Sequence, residues 1–181
     1  MVRHHGAAPV DPQTLVDIAH AVTRGPTAGN SQGITVVLVT EREGIDTIAF
    51  AAGEADFVRQ GRAPWLSSAA AHLVICAEPG RYLARYSEQD KEPAALDGVP
   101  WWWVDGGAAL MTALLAAVDS GLTAGFLGGH RLDPIREVLG IPDDVAIVGL
   151  VTLGPAPDSD QPTTRSLRRG RRVDAVRAER W

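Results

Sequence analysis

Apolar residues recur along this chain with two different periods, and the alternation between them predicts its elements. In residues 12–24, Leu15, Ile18, Ala19 and Val22 fall at i, i+3, i+4 and i+7, the spacing of one helical face. Asp11 is placed to cap that helix, Pro12 suits its first position, and Gly25 and Pro26 end it. GITVVLVT, residues 33–40, is apolar and β-branched without alternation, which predicts a strand buried on both faces. Residues 41–62 allow one or two short helices interrupted at Gly53, and APWLSSAA leads into a second strand, AHLVICAE. The polar, turn-rich residues 79–100 are expected to form a surface excursion with one helical turn.

VDGGAALMTALLAAVDSG, residues 104–121, predicts the second clear helix, with Asp105 as its cap and Gly121 after its last turn. It is apolar on nearly every side, Thr112 being the main polar break, so it is expected at the centre of the protein. TAGFLGG reads as a short strand or turn, DPIREVLG as a short helix and VAIVGLVTLG as the third strong strand. Helices and strands alternate loosely, which predicts an α+β or α/β sheet protein with a C-terminal extension.

At 181 residues the chain is long enough for one domain with a substantial core. A net charge of -5 argues against nucleic acid as a partner, yet seven of the seventeen residues from 165 to 181 are Arg. The single cysteine, Cys76, lies in an apolar run and reads as a buried, inert thiol; it excludes an internal disulfide. With no apolar run of eighteen residues and no hydrophobic N-terminal signal region, a soluble, cytoplasmic protein without membrane contact is expected. His4 and His5 are expected to be exposed near the terminus, while His20 and His72 read as structural. His130, in GGHRLDP, is the only histidine in a Gly-rich loop. The three tryptophans of PWWWVD cannot all face one core, so at least one belongs to an interface or a ligand cleft. No metal-ligand spacing and no catalytic side-chain motif is present.

The connection GPTAGNSQG is the most suggestive stretch. Thr27, Asn30, Ser31 and Gln32 supply donors and acceptors within six residues, and Gly29 permits backbone geometry closed to other residues. That suits a flat heterocycle with carbonyls and ring nitrogens at its edge; a helix-ending loop of turn formers is the plainer reading.

RGPTAGNSQG, WWWVDGGAALMTALLAAVDSGLTAGF, REVLGIPDDVAIVGLVTLG and the Arg-rich SLRRGRR…ERW, in this order, resemble the nitroreductase family of flavin enzymes over nearly the whole chain, in a style similar to its actinobacterial members. The resemblance implies a mixed central sheet flanked by helices around a buried central helix, in a homodimer. Residues 1–160 would form the FMN-binding domain, and 161–181 an arm exchanged onto the partner subunit. Pro26, Thr27, Ala28, Asn30 and Gln32 match the segment that lines the flavin ring and ribityl chain. Ala124 and Gly125 match the turn whose amides approach flavin N5. Arg169 and Arg171 match the basic pair near the FMN phosphate, and Arg3 the last basic residue of the N-terminal phosphate motif. The first Arg of that motif has no counterpart before Met1, and His4 or His5 stands where Phe is common. The implied activity is an FMN-dependent oxidoreductase in which NAD(P)H and then a nitroaromatic, quinone or related acceptor use the flavin in turn. The alternative is a protein of the same fold that binds and sequesters FMN without turnover.

Overall fold

The structure, a computed structural model, describes residues 2, 4–158 and 175–179. Helix α1 spans Pro12–Thr23, with the Asp11 carboxylate accepting from the amides of Gln13 and Thr14 as its sequence predicts. Strand β1 (Ile34–Val39) is followed by two short helices, α2 (Arg42–Ala51) and α3 (Glu54–Arg59), joined by Gly53 at φ +69°. Strand β2 (Ala71–Ala77), helix α4 (Pro79–Tyr86) and the long helix α5 (Trp101–Asp119) come next. Strand β3 (Thr123–Leu127), helix α6 (Asp133–Leu139) and strand β4 (Ala146–Gly154) complete the order.

The strands form one sheet in the order β1-β2-β4-β3, antiparallel at every pairing. The expected mixed sheet needs a parallel strand, and none of the four described strands supplies one. β2 is buried along its whole length, and its alternation feeds two cores. Leu73 and Ile75 point to the layer of α1 and α5, while Val74 and Cys76 point to the layer of α2, α3 and α6. Burying side chains of this size stabilises the fold by about 1.5–3 kcal/mol each. A bulge between Ile75 and Cys76 leaves Val148 unpaired opposite them, against Gly106 of α5.

Four expectations are corrected. Among the described residues β1 lies at the sheet edge and is only half-buried, with β2 on one side and no strand on the other. Residues 79–100 hold a two-turn helix, α4, whose Tyr82 is fully buried, and not merely one turn of a surface excursion. α5 begins at Trp101, so Asp105 lies inside the helix and is not its cap. Nor is α5 enclosed on all sides: Gly106, Ala109, Ala113 and Ala117 face the sheet, but Met111, Leu115 and Val118 are exposed. By length and mean hydropathy it is apolar enough to cross a membrane, contrary to the reading from residue runs. In the fold its small-residue stripe is committed to α1 and the sheet, which it approaches closely because alanine and glycine leave room. Most of the Arg-rich arm, residues 161–174 and 180–181, lies outside the described residues, and so do Arg3, Arg169 and Arg171.

Candidate functional site

The loop after α1 is built from unusual backbone. Gly29, Asn30 and Gln32 have φ of +61°, +57° and +51°, so three of four consecutive residues are left-handed. Glycine adopts this freely and asparagine tolerates it, but a glutamine there stores strain and persists only when its surroundings hold it. The holding bonds are numerous. Within the loop, Asn30 N–H donates to Thr27 O (2.8 Å), Ser31 Oγ donates to Ala28 O (2.6 Å), and Gln32 N–H donates to Thr27 Oγ1 (2.9 Å). From outside, Ala28 N–H donates to Asp105 Oδ2 (2.8 Å) and Arg85 Nε donates to Gly29 O (2.9 Å). The ring of Tyr86 would lie 2.9 Å from a Cβ at Gly29, so α4 leaves no room for a side chain there.

Asp105 is the centre of this arrangement. The same Oδ2 that accepts from Ala28 also accepts from Tyr82 Oη at 2.8 Å, which ties the loop, α4 and α5 together. Burial raises the Tyr82 phenol well above its ordinary value, and the hydrogen bond to Asp105 adds to the effect, so Tyr82 remains a donor. Trp102 packs edge-on against Tyr82, with ring centroids 6.2 Å apart, while Trp103 is half-exposed.

Between the loop and α5 lies a cleft of about 450 Å³. Pro26, Thr27, Asn30 and Gln32 line it from the loop, and Asp105, Ala108, Ala109 and Thr112 from the helix. Of the five loop residues matched to the flavin, only Ala28 is not in the wall, its amide being spent on Asp105. Gly29 is also outside it, and Ser31, expected to offer its hydroxyl to a ligand, is buried and spends that hydroxyl on Ala28 O. Asn30 and Gln32 are exposed, and Gln32 Nε2 donates to Asn30 Oδ1 at 3.5 Å, which leaves Gln32 Oε1 and Asn30 Nδ2 to meet a ligand edge; the walls of Ala108 and Ala109 suit a flat apolar face.

Ala124 and Gly125 lie elsewhere. They sit on β3, at the opposite edge of the sheet from β1, three strand spacings away, or about 14 Å. Both are buried, and neither lines the loop cleft. Val2 N–H donates to Ala124 O at 2.8 Å, and a Cβ on Gly125 would come within 2.5 Å of Val2 O and 2.9 Å of Trp65 Cζ3. Only glycine fits beneath the N-terminal segment here. That segment is fixed by His5, which is buried and not exposed as its position in the sequence suggested. Thr123 Oγ1 donates to the carbonyls of Gly154 and Pro155, so His5 Nδ1–H donates to Thr123 Oγ1 and the bare Nε2 accepts from Thr152 Oγ1, both at 2.9 Å. Desolvation lowers the His5 pKa to about 4, with repulsion from His72 and His4 adding to it. His72, also buried, is lowered to about 4, mainly by desolvation, and keeps a hydrogen bond to Leu66 O.

The nitroreductase family model matches residues 1–155. The chain belongs to the nitroreductase family. An FMN reductase (NAD(P)H) of Bacillus subtilis strain 168 is 32% identical over 164 residues, covering 86% of this chain and 62% of that protein's length. Among solved structures, the NADPH:FMN oxidoreductase of Vibrio harveyi, complexed with NAD+, matches at 25% identity and a TM-score of 0.68, covering 99% of this chain and 73% of the other. A nitroreductase family protein of Streptococcus pneumoniae TIGR4 gives a TM-score of 0.70 at 22% identity, over 98% and 94% of the two chains, which is a likeness of fold. The family frame makes the residues that the sequence reading overlooked intelligible. Asp105, Tyr82 and Arg85 shape the loop without belonging to its motif. The signal for the two α4 residues was the spacing of Tyr82, Arg85 and Tyr86 on one helical face after Pro79, whereas Asp105 was read only as a cap.

Proposed function

We infer that the chain is an NAD(P)H-dependent flavin oxidoreductase of the nitroreductase type, with FMN as its cofactor and a homodimer as its working form. The carrying observation is the cleft against α5. It is walled by a left-handed, clamped loop that offers neutral amides and one hydroxyl, which is the chemistry a flavin ring and ribityl chain require. Names of the Bacillus and Vibrio relatives support the cofactor and the nicotinamide donor.

The residues fit FMN in a divided way. Pro26, Thr27, Asn30 and Gln32 would hold the ring and ribityl chain, and Ala28 would fix the loop through Asp105. Ala124 and Gly125 would meet the N5 edge, but they lie at the other edge of the sheet, so a second copy of the chain is needed to bring the two halves to one flavin. The phosphate would be left to Arg3, Arg169 and Arg171. When bound, FMN supplies the two-electron carrier between a nicotinamide nucleotide and an acceptor such as a nitroaromatic or quinone. The chain's own part is to orient: no side chain in the cleft is required to move a proton, and the strained loop presents its groups without reorganisation.

The test is an absorption spectrum of the protein reconstituted with FMN, before and after anaerobic addition of NADH or NADPH. Bound flavin that bleaches within seconds, and recovers its colour on adding a nitroaromatic or quinone, is expected. Bound flavin that neither nucleotide reduces favours a sequestering protein, and no bound flavin defeats both readings.

A further inference from the structure

A second cleft, of about 470 Å³, opens on the other layer of the fold, between the end of α3, β3 and the Gly-rich turn at 128–131. Its walls are aromatic, formed by Phe57, Trp65 and Phe126, and its polar side chains are two arginines, Arg62 and Arg131, with His130 beside them. Two guanidinium groups share one ring, Arg131 at 4.4 Å and Arg62 at 5.3 Å from the Phe57 centroid. Each gains from the negative face of the ring, yet the two positive charges remain uncompensated by it.

The two arginines are not equivalent. Arg131 is spent on structure, donating to the carbonyls of Ala52 and Gly53 and pairing with Asp56 at 3.3 Å. Asp56 also serves Arg59. Glu54, the other acid of α3, is buried and accepts from the amides of Leu66 and Ser67. The Arg62 backbone N–H donates to Phe57 O, but its guanidinium has no carboxylate and no hydrogen-bond acceptor among the described residues, although Arg62 is half-buried on the cleft wall. In a chain of net charge -5, Arg62 is thus an unpaired guanidinium set among flat apolar walls. A guanidinium drawn over a ring face by cation–π attraction spends none of its N–H donors on the ring, so they remain for a planar anion.

We propose that this cleft is a subsite for anionic aromatic molecules, in which Arg62 holds a carboxylate and Phe57, Trp65 and Phe126 bracket the ring. Its place beside the redox centre rests on the function proposed above: Trp65 forms a wall of the cleft and also packs over Gly125, the residue matched to the N5 edge. The subsite thus selects, among acceptors, those with an aromatic carboxylate. His130 at the rim gives the Gly-rich turn a role that its sequence left open.

Isothermal titration of the protein, with and without saturating FMN, against 4-nitrobenzoate and the neutral 4-nitrobenzyl alcohol tests this. Tighter binding of the benzoate, by roughly ten- to a hundredfold, is expected from one charge-assisted contact. Arg62→Ala should bring the benzoate down to the level of the alcohol, and Arg62→Lys should recover part of the difference. Arg62→Gln provides a variant of similar shape if the alanine protein folds poorly, as judged by circular dichroism. Equal binding of the two ligands by the unaltered protein, or benzoate binding indifferent to Arg62, overturns the proposal. So does benzoate binding that FMN abolishes, since the cleft would then be part of the cofactor's own site. Binding needs no turnover, so Arg62-dependent benzoate binding by a protein that accepts no flavin would sink the oxidoreductase reading and retain the anion site.

Discussion

His5 illustrates how a single residue acquires its role from surroundings far away in the chain. Its ring bridges Thr123 and Thr152, on two strands, and holds down a segment that also covers Gly125. The ring is neutral in the fold, because charging it would require both nitrogens to donate in a site that offers little solvation. Its pKa falls from 6.5 to about 4, and that of His72 likewise, so folding opposes protonation of both. The unfolded chain binds more protons between those values, and the stability due to neutral burial is complete above pH 6.5 and lost as the pH falls through about 4. The loss is on the order of 3 kcal/mol for each ring across that window. Urea unfolding at pH 7 and pH 5 should show the midpoint dropping at the lower pH. His5→Phe should flatten the dependence while costing stability at pH 7, since Thr152 loses its partner. A pH dependence unchanged in His5→Phe would mean that His5 does not carry this linkage.

At the scale of elements, the loop after α1 depends on helices that contribute nothing to its motif. Asp105 Oδ2 receives both the loop amide and the Tyr82 hydroxyl, and removing it strands two donors in a partly buried place. Asp105→Ala should therefore destabilise the fold by about 1–3 kcal/mol and weaken FMN binding roughly tenfold or more, because the left-handed backbone relaxes without its anchor. Asp105→Asn keeps an oxygen that can accept both bonds and should retain most of the affinity. Flavin fluorescence titration alongside thermal melts separates the two effects; an alanine variant with unchanged FMN affinity would remove Asp105 from the positioning role. The same residue marks where the sequence stopped being legible. α1, both inner strands, α6 and the loop follow from local periodicity, caps and turn residues, all of which act within a few positions. The Trp101 start of α5 was missed because Asp105 resembles a cap, and only the tertiary contact to Ala28 shows what its carboxylate is for. α4 was missed because its exposed charged positions outweigh the single buried Tyr82 when polarity alone is read, and the spacing of Tyr82, Arg85 and Tyr86 was the signal against that. The edge position of β1 and the burial of His5 depend on strand order and on contacts more than a hundred residues apart, which no window contains.

At the scale of the molecule, the two halves of the candidate flavin site lie at opposite edges of one sheet, and the outer face of α5 is apolar and uncovered. Met111, Leu115 and Val118 are 52%, 61% and 68% exposed on a helix whose other face is packed against alanine-sized gaps. A contiguous apolar stripe of this kind is characteristic of a surface that meets a partner. The flavin reading independently requires a second copy to unite the loop cleft with Ala124 and Gly125, and α5 forms a wall of that cleft. Both lines therefore point to association of two chains through the outer face of α5. Leu115→Glu places a charge in the middle of that face without touching the sheet-facing stripe of Ala109, Ala113 and Ala117. If the unaltered protein is the proposed dimer, the variant should elute as a monomer in light-scattering chromatography, keep its far-ultraviolet circular dichroism, and bind FMN at least a hundredfold more weakly than the unaltered protein. The combination is informative: loss of the dimer with full FMN affinity would place the whole cofactor site within one chain, and an intact dimer would put the interface on a different face.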